Sequence, residues 1–458
     1  MDVSFLQVIV SLLAGIIFII LLTVKFKVHP FFALIIACFI TGLGVQLQFA
    51  QILSLIKNGF GDVMSKLAII IVLGTTIGVL LEKNGSTNVM AASLLKLVSQ
   101  KRSSLALSVT GFIVGLPIFC DSGYIVLSGI NRSLIKRTGM AVATMSISLA
   151  SGLYAVHCLL PPHPGATAAA AILEVDFGKL ILFGILIAIP AMLIGHWWAL
   201  YAGKKTLPAG QAGKTENGPA TETEKDISAG PKPILAFLPV VIPILLMALR
   251  SVLVLDKNKN GFLTDIFNIA GDPAIALAIG VLLAILTGKN SPKESAERRT
   301  KHSLSSQLTF AVEKAGGILV IIGAGGAFGA VLAATDIGSH FEKNLDLKML
   351  GIWFPFLLTC LIKTAQGSST VAIITASSIV LPLLPVLGLD SENAKLLTVL
   401  AMGAGSMMIS HSNDAYFWVI SKFSDIDVRT MLRVHSVASV FMGLITMIIV
   451  YILSLIIL

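Results

Sequence analysis

A small set of ionisable and hydroxyl side chains stands inside otherwise apolar stretches of this chain. They are Asp121, Ser122 and Gly123; His157 and His163, on either side of Pro161-Pro162; Gly165; Lys363; Gly367, Ser368, Ser369 and Thr370; and His411, Asn413 and Asp414. In lipid an acid costs about 2.5–3.5 kcal/mol on the insertion scale, so Asp121 and Asp414 read as proton or cation carriers. Imidazole titrates near neutral pH, which suits His157 and His411 to proton coupling and His163 to donation toward a hydroxyl or carboxylate. The hydroxyls of Ser122, Ser368, Ser369 and Thr370, the Asn413 amide, and the bare backbone at Gly123, Gly165 and Gly367 suit a polyhydroxylated ligand. Lys363 could pair with its carboxylate. Each of several residues also has a structural reading: helix caps for Asp121, Asn413 and Asp414, helix-end packing for His157 and His411, a turn for His163, small-residue packing for Ser368, Ser369 and Thr370, and snorkelling for Lys363.

The elements that must position these groups are membrane helices. Of 458 residues, 55% are hydrophobic and 12% charged, against about 25% charged in soluble domains. At roughly 20 apolar residues per crossing, the chain has room for more than ten spans and none for a separate soluble enzyme domain. The four cysteines lie in apolar runs without metal or disulfide spacing and read as small hydrophobes. Residues 6–24 lack a basic leader and a cleavage site, and Lys25 and Lys27 follow them. They read as a retained first span whose N-terminus faces outward.

The polar stretch 203–232 reads as a cytoplasmic linker between two halves, residues 1–202 and 233–458. Landmarks recur in order. Two spans precede Gly74-x-x-x-Gly78 in one half and Gly325-x-x-x-Gly329 in the other, pairs assigned to helix packing. A hairpin follows, at residues 103–137 or 350–388, broken by Asp121-Ser122-Gly123 or by Gln366-Gly367-Ser368-Ser369-Thr370. Then comes an interrupted helix, at residues 140–173 or 394–421, and a last span. Five crossings per half force the second half to insert upside down. The predicted fold is therefore an all-α polytopic membrane protein of two inverted repeats, about ten transmembrane helices and two re-entrant hairpins. About two thirds of the 33 basic residues then fall on one side, which the positive-inside rule makes cytoplasmic, with both termini outside. The net charge of +9 is thus a topology signal and not the mark of a nucleic-acid partner. Four breaks at membrane depth imply one polar cavity. The half-helices starting near Tyr124, Gly165, Ser369 and Asp414 would favour an anion there.

Enzyme motifs fail. No His-Glu-x-x-His occurs, and Gly323-Ala324-Gly325-Gly326 lacks dinucleotide-binding spacing. Gly59-Phe60-Gly61-Asp62 has no Tyr-Asp partner of the kind an intramembrane aspartyl protease needs.

Five motifs resemble the gluconate:proton symporter family of the ion-transporter superfamily. They are Val24-Lys25-Phe26-Lys27-Val28-His29-Pro30-Phe31, Phe119-Cys120-Asp121-Ser122-Gly123-Tyr124, Val156-His157-Cys158-Leu159-Leu160-Pro161-Pro162-His163-Pro164-Gly165, Gln366-Gly367-Ser368-Ser369-Thr370-Val371-Ala372, and His411-Ser412-Asn413-Asp414-Ala415-Tyr416-Phe417-Trp418. The resemblance implies a bacterial inner-membrane carrier that imports gluconate or a related small hydroxy or sugar acid with a proton. It implies no cofactor beyond that proton, a homodimer, and an elevator-like shift of the hairpin-bearing part. Members differ in substrate among gluconate, other sugar acids, glycerate and D-serine; Gly165-Ala166-Thr167 is similar to the sugar-acid members. A sodium-coupled carrier or cation exchanger, and more distantly a membrane-embedded hydrolase, are the alternatives.

Overall fold

A computed structural model describes residues 3–96, 102–204, 231–254, 262–289, 303–336, 340 and 349–458. Most of the predicted linker, and several of the basic residues used for the topology, lie outside the described residues. Among the described residues the secondary structure is helical, with no strand. The first half runs α1 (Phe5–Val24), α2 (Pro30–Gly44), α3 (Phe49–Lys83), α4 (Ser86–Lys96), α5 (Ser103–Gly115), α6 (Cys120–Thr138), α7 (Val142–Leu159), α8 (Pro164–Ile172) and α9 (Phe177–Gly203). The second runs α10 (Pro233–Val254), α11 (Phe262–Ala270), α12 (Pro273–Lys289), α13 (Leu304–Ala334), α14 (Trp353–Gln366), α15 (Ser369–Leu387), α16 (Glu392–Met407), α17 (Ala415–Ser424) and α18 (Val428–Ile457). A 3-10 turn at Leu381–Leu383 interrupts α15, and a π turn at Leu432–Ser436 interrupts α18.

Local chemistry sets many of the helix starts. Ser4, Asp176, Ser303, Ser391 and Asp427 each accept an amide from the first turn of α1, α9, α13, α16 and α18, a cap that stabilises by about 1 kcal/mol. Proline opens α2 and α8, where its missing N–H costs nothing and its fixed φ suits the turn.

Burial sorts the helices. In α7–α8, 89% of the most apolar window is inside the protein, against 28% for α1 and for α18. Outward rows such as Leu6, Leu13 and Ile17 on α1 and Ile448, Leu455 and Ile456 on α18 are exposed and match a lipid solvent. Eight helices among the described residues are long and apolar enough to cross a bilayer, fewer than the ten expected. Helices α2 and α12 have 15 and 17 residues, about 22 and 26 Å of rise against a hydrocarbon core of about 30 Å. The same criterion admits α15, which the sequence presents as a hairpin arm.

Small residues let the interior helices approach closely. Helix α3 packs on α13, with Gly59 against Ala327 and Ala330. The two Gly-x-x-x-Gly pairs serve the interrupted segments: Gly74 faces Pro162, Gly78 the Pro117 carbonyl, Gly325 the Ile374 side chain and Gly329 Ser378. All four cysteines are free thiols, three of them buried.

Candidate functional site

Four interruptions meet. They are the α5–α6 tip (Leu116 to Phe119), the α7–α8 break (Leu160 to His163), the α14–α15 tip (Gly367 and Ser368) and the α16–α17 break (Met408 to Asp414). Direct hydrogen bonds tie each tip to a break. His163 Nε2 lies 2.8 Å from the Gly115 carbonyl oxygen, so the ring donates there. Asn413 Nδ2 donates to the Thr364 and Ala365 carbonyls at 2.7 and 3.2 Å, and His411 Nε2 lies 3.1 Å from that of Thr364. Tyr154 on α7 joins Ser369 at 2.9 Å. Gly367 closes α14 at φ +87°, where a Cβ would overlap the Asn413 backbone. These contacts satisfy carbonyls that a helix end otherwise leaves unpaired.

The interruptions surround a cavity of about 460 Å³, a volume suited to a small ligand. Of the candidate residues, Asp121, Ser122, His157, Gly367, Ser368, Ser369, Thr370, Asn413 and Asp414 line it. The others stand behind. Gly123 packs against Leu153, and Gly165 packs against Thr370 and Ile373, seating α8 on α15. His163 is buried beneath His157, with ring centroids 5.0 Å apart. His411 braces Thr364.

Lys363 is fully buried and does not face the cavity. Its ammonium donates to Asp414 Oδ2 at 2.6 Å and to the Gly367 carbonyl. Asp414 also accepts from Ser410 Oγ at 2.5 Å and, as the cap of α17, from the Tyr416 amide at 2.9 Å. This pair locks the second hairpin tip to the second break. Removing one partner of such a pair costs about 3–5 kcal/mol, since the other is left charged and buried. Asp121 is different. It stands in the first turn of α6, whose cap position is Phe119. Its one hydrogen bond among the described side chains comes from the Cys120 thiol at 3.0 Å, and no basic group among the described residues lies within ion-pair distance. The half-helix expected near Tyr124 thus starts at Cys120, one turn earlier.

Several buried polar atoms at this cavity have no protein partner among the described residues: both amide atoms of Gln366, Asn413 Oδ1 and His157 Nδ1. A buried unpaired polar atom costs about 1–3 kcal/mol. A hydroxyl-bearing ligand would satisfy them, since hydroxyls both donate and accept.

Residues 7–456 match the profile of GntP family permeases. The chain belongs to that family. A relative in Escherichia coli (strain K12), the Gnt-II system L-idonate transporter, is 31% identical over 93% of this chain and 94% of its own length. A gluconate permease of Pseudomonas aeruginosa is 30% identical over 97% of each chain. Among solved structures, MtrF of Neisseria gonorrhoeae, described as one of a class of antimetabolite efflux pumps, superposes with a TM-score of 0.61 at 15% identity. That alignment covers 88% of this chain and 83% of MtrF. This likeness concerns the fold alone. The GntP family consists of permeases and not enzymes, and this member is a multi-pass membrane protein.

Four residues lining this cavity escape the reading of the sequence. Lys314 on α13 reaches the cavity, donating to Ser122 Oγ at 3.0 Å with its ammonium 4.6 Å from the Phe119 ring centroid. In the sequence it sits at the edge of an apolar run and reads as one more interfacial lysine. Gln366 lies in a quoted motif but looks like a loop residue. Tyr154 and Tyr416 stack at 5.5 Å, and Tyr416 packs edge-on against His435 at 5.9 Å. A signal existed for the tyrosines: the chain has five, and Tyr124, Tyr154 and Tyr416 all fall in or beside interrupted segments.

Proposed function

We propose that this GntP-family permease is a secondary transporter that imports gluconate or a related small sugar or hydroxy acid together with a proton. The observation that carries the reading is the cavity at the four interruptions, where amide and imidazole atoms without a protein partner among the described residues stand beside hydroxyls, the acids Asp121 and Asp414, and Lys314. A polyhydroxylated acid matches that donor and acceptor set, and relatives named for L-idonate and gluconate support it.

Asp121 is the proposed proton carrier. Both Asp121 and Asp414 line the cavity, but Asp121 has no ion-pair partner among the described residues, so it can take a proton when an anionic substrate enters. Its neighbours there are Cys120, His157 and Lys314. In this reading Asp414, His163 and His411 hold the tips and breaks in register.

Sodium coupling is the second reading, and the carbonyls argue against it. At the hairpin tips a sodium ion would seek the oxygens of Gly115, Thr364, Ala365 and Gly367. Each already accepts from His163, His411, Asn413 or Lys363. A tethered ammonium therefore stands where a mobile cation would bind.

The proposed architecture is the inverted repeat, with α5–α6 and α14–α15 re-entering from opposite faces, both termini outside, and an elevator-like shift of the hairpin-bearing elements within a homodimer. Element order supports it: long helix, hairpin, broken helix and final span recur as α3 to α9 and α13 to α18. The decisive experiment is uptake of labelled D-gluconate into proteoliposomes with and without an inward proton gradient. Gradient-driven accumulation is expected. Failure to take up any member of a panel containing gluconate, L-idonate, glycerate and D-serine would sink the reading.

A further inference from the structure

We propose that Lys314 is the residue that holds the substrate carboxylate, in a subsite completed by Ser122 and Phe119. The inference rests on the transporter reading above and deepens it. A carboxylate leaving water for a half-enclosed cavity needs a counter-charge, and two lysines are near enough to be considered. Lys363 is excluded by position and by partners, since it is fully buried, does not line the cavity and is neutralised by Asp414. Lys314 has the opposite character. It is half-buried on α13, lines the cavity, and no carboxylate among the described residues lies within 4.0 Å of its ammonium.

The ammonium is nonetheless held in place. One of its three N–H donors goes to Ser122 Oγ at 3.0 Å, and the Phe119 ring lies 4.6 Å from it. A cation over an aromatic face is stabilised without being neutralised, which leaves the remaining donors for an incoming anion. Phe119 is also the cap position of α6 and contributes no side-chain hydrogen bond there. The first-turn amides of α6 therefore lie on the same side of the cavity as the ammonium and add to the attraction for a negative group. The subsite joins two elements far apart in sequence, α13 and the first hairpin, so occupying it would tie them together.

Binding to purified protein tests this without requiring transport, with D-gluconate and its uncharged amide as probes on wild type, Lys314→Gln and Lys314→Arg. Lys314→Gln is expected to weaken gluconate roughly 30-fold, the scale of one lost charge-assisted hydrogen bond, and to leave the amide within about threefold. Lys314→Arg should recover most of the gluconate affinity. Thermal stability of the Gln variant should fall by far less than that of a broken buried ion pair, because only the Ser122 hydrogen bond and the Phe119 contact are lost. Wild-type gluconate affinity in Lys314→Gln would overturn the proposal. So would equal loss of gluconate and its amide, which marks a structural role. A wild-type protein that binds no acid of the panel fails at the transporter reading instead.

Discussion

Among single residues, the informative contrast is between charges that are neutralised inside the protein and polar groups that are not. Lys363 and Asp414 neutralise each other at 2.6 Å. Lys363→Met should therefore lower stability by about 3–5 kcal/mol, and Lys363→Met with Asp414→Asn should recover much of that loss; denaturation of the single and double variants in detergent measures the difference. A double variant no more stable than the single one would remove the pair from the fold's energetics. Gln366 is the reverse case, a buried amide with both polar atoms unpaired by protein. Gln366→Met should raise the melting temperature, relieving a cost of about 1–3 kcal/mol, while weakening gluconate binding. A rise in stability with unchanged affinity would show that the amide does not touch the substrate. Asp121→Asn should leave the protein folded but uncouple uptake from the proton gradient, and counterflow against accumulation in proteoliposomes separates those outcomes.

At the scale of elements, the four interruptions are held by side chains that donate to helix-end carbonyls, and the final helix by its cap. Asp427 caps α18 by accepting the Thr430 amide at 3.0 Å. The Thr430 side chain and amide together hold its carboxyl below the usual range. Because the folded pKa is depressed, this stabilisation is present above the ordinary aspartate value of about 4 and is lost as pH falls through the folded pKa. Asp427→Ala should cost about 1 kcal/mol near neutral pH, whereas Asp427→Asn keeps a capping oxygen and flattens the acid limb of a melting curve taken from pH 6 to pH 3. Helices stop and restart where prolines, glycines and polar residues interrupt apolar runs in the sequence. Their true starts shift by up to a turn, as at Cys120, since the backbone hydrogen-bond pattern and not the polar residue decides where a helix begins.

For the whole molecule, the proposed inverted repeat fixes the face from which each hairpin enters. Two inverted repeats predict that cysteines at Arg102 and Arg137, the ends of the first hairpin, react with an impermeant maleimide from one side of the membrane. Cysteines at Leu350 and Asp390, flanking the second, should react from the other; all four wild-type residues are exposed. Labelling of the two ends of one hairpin from opposite sides would make α5 with α6, or α14 with α15, a single interrupted crossing and would overturn the inverted-repeat reading. Among the described residues eight helices pass the length and composition criterion instead of the ten expected, and α2 and α12, at 15 and 17 residues, fall below its length limit.

Composition alone determined that the chain lives in lipid, since 55% hydrophobic content with 12% charge cannot be buried within a protein of this size. The interrupted runs, being local, indicated where polar backbone would lie and named nine of the residues that line the cavity. Only the tertiary structure decided which charges meet. Lys363 and Asp414 lie 51 positions apart, and Lys314 and Ser122 192 apart. Nothing in one strand of sequence distinguishes a lysine that neutralises a buried acid from one that is left to meet a substrate. That distinction is a matter of distance across the fold, where Coulombic attraction and desolvation act on neighbours in space.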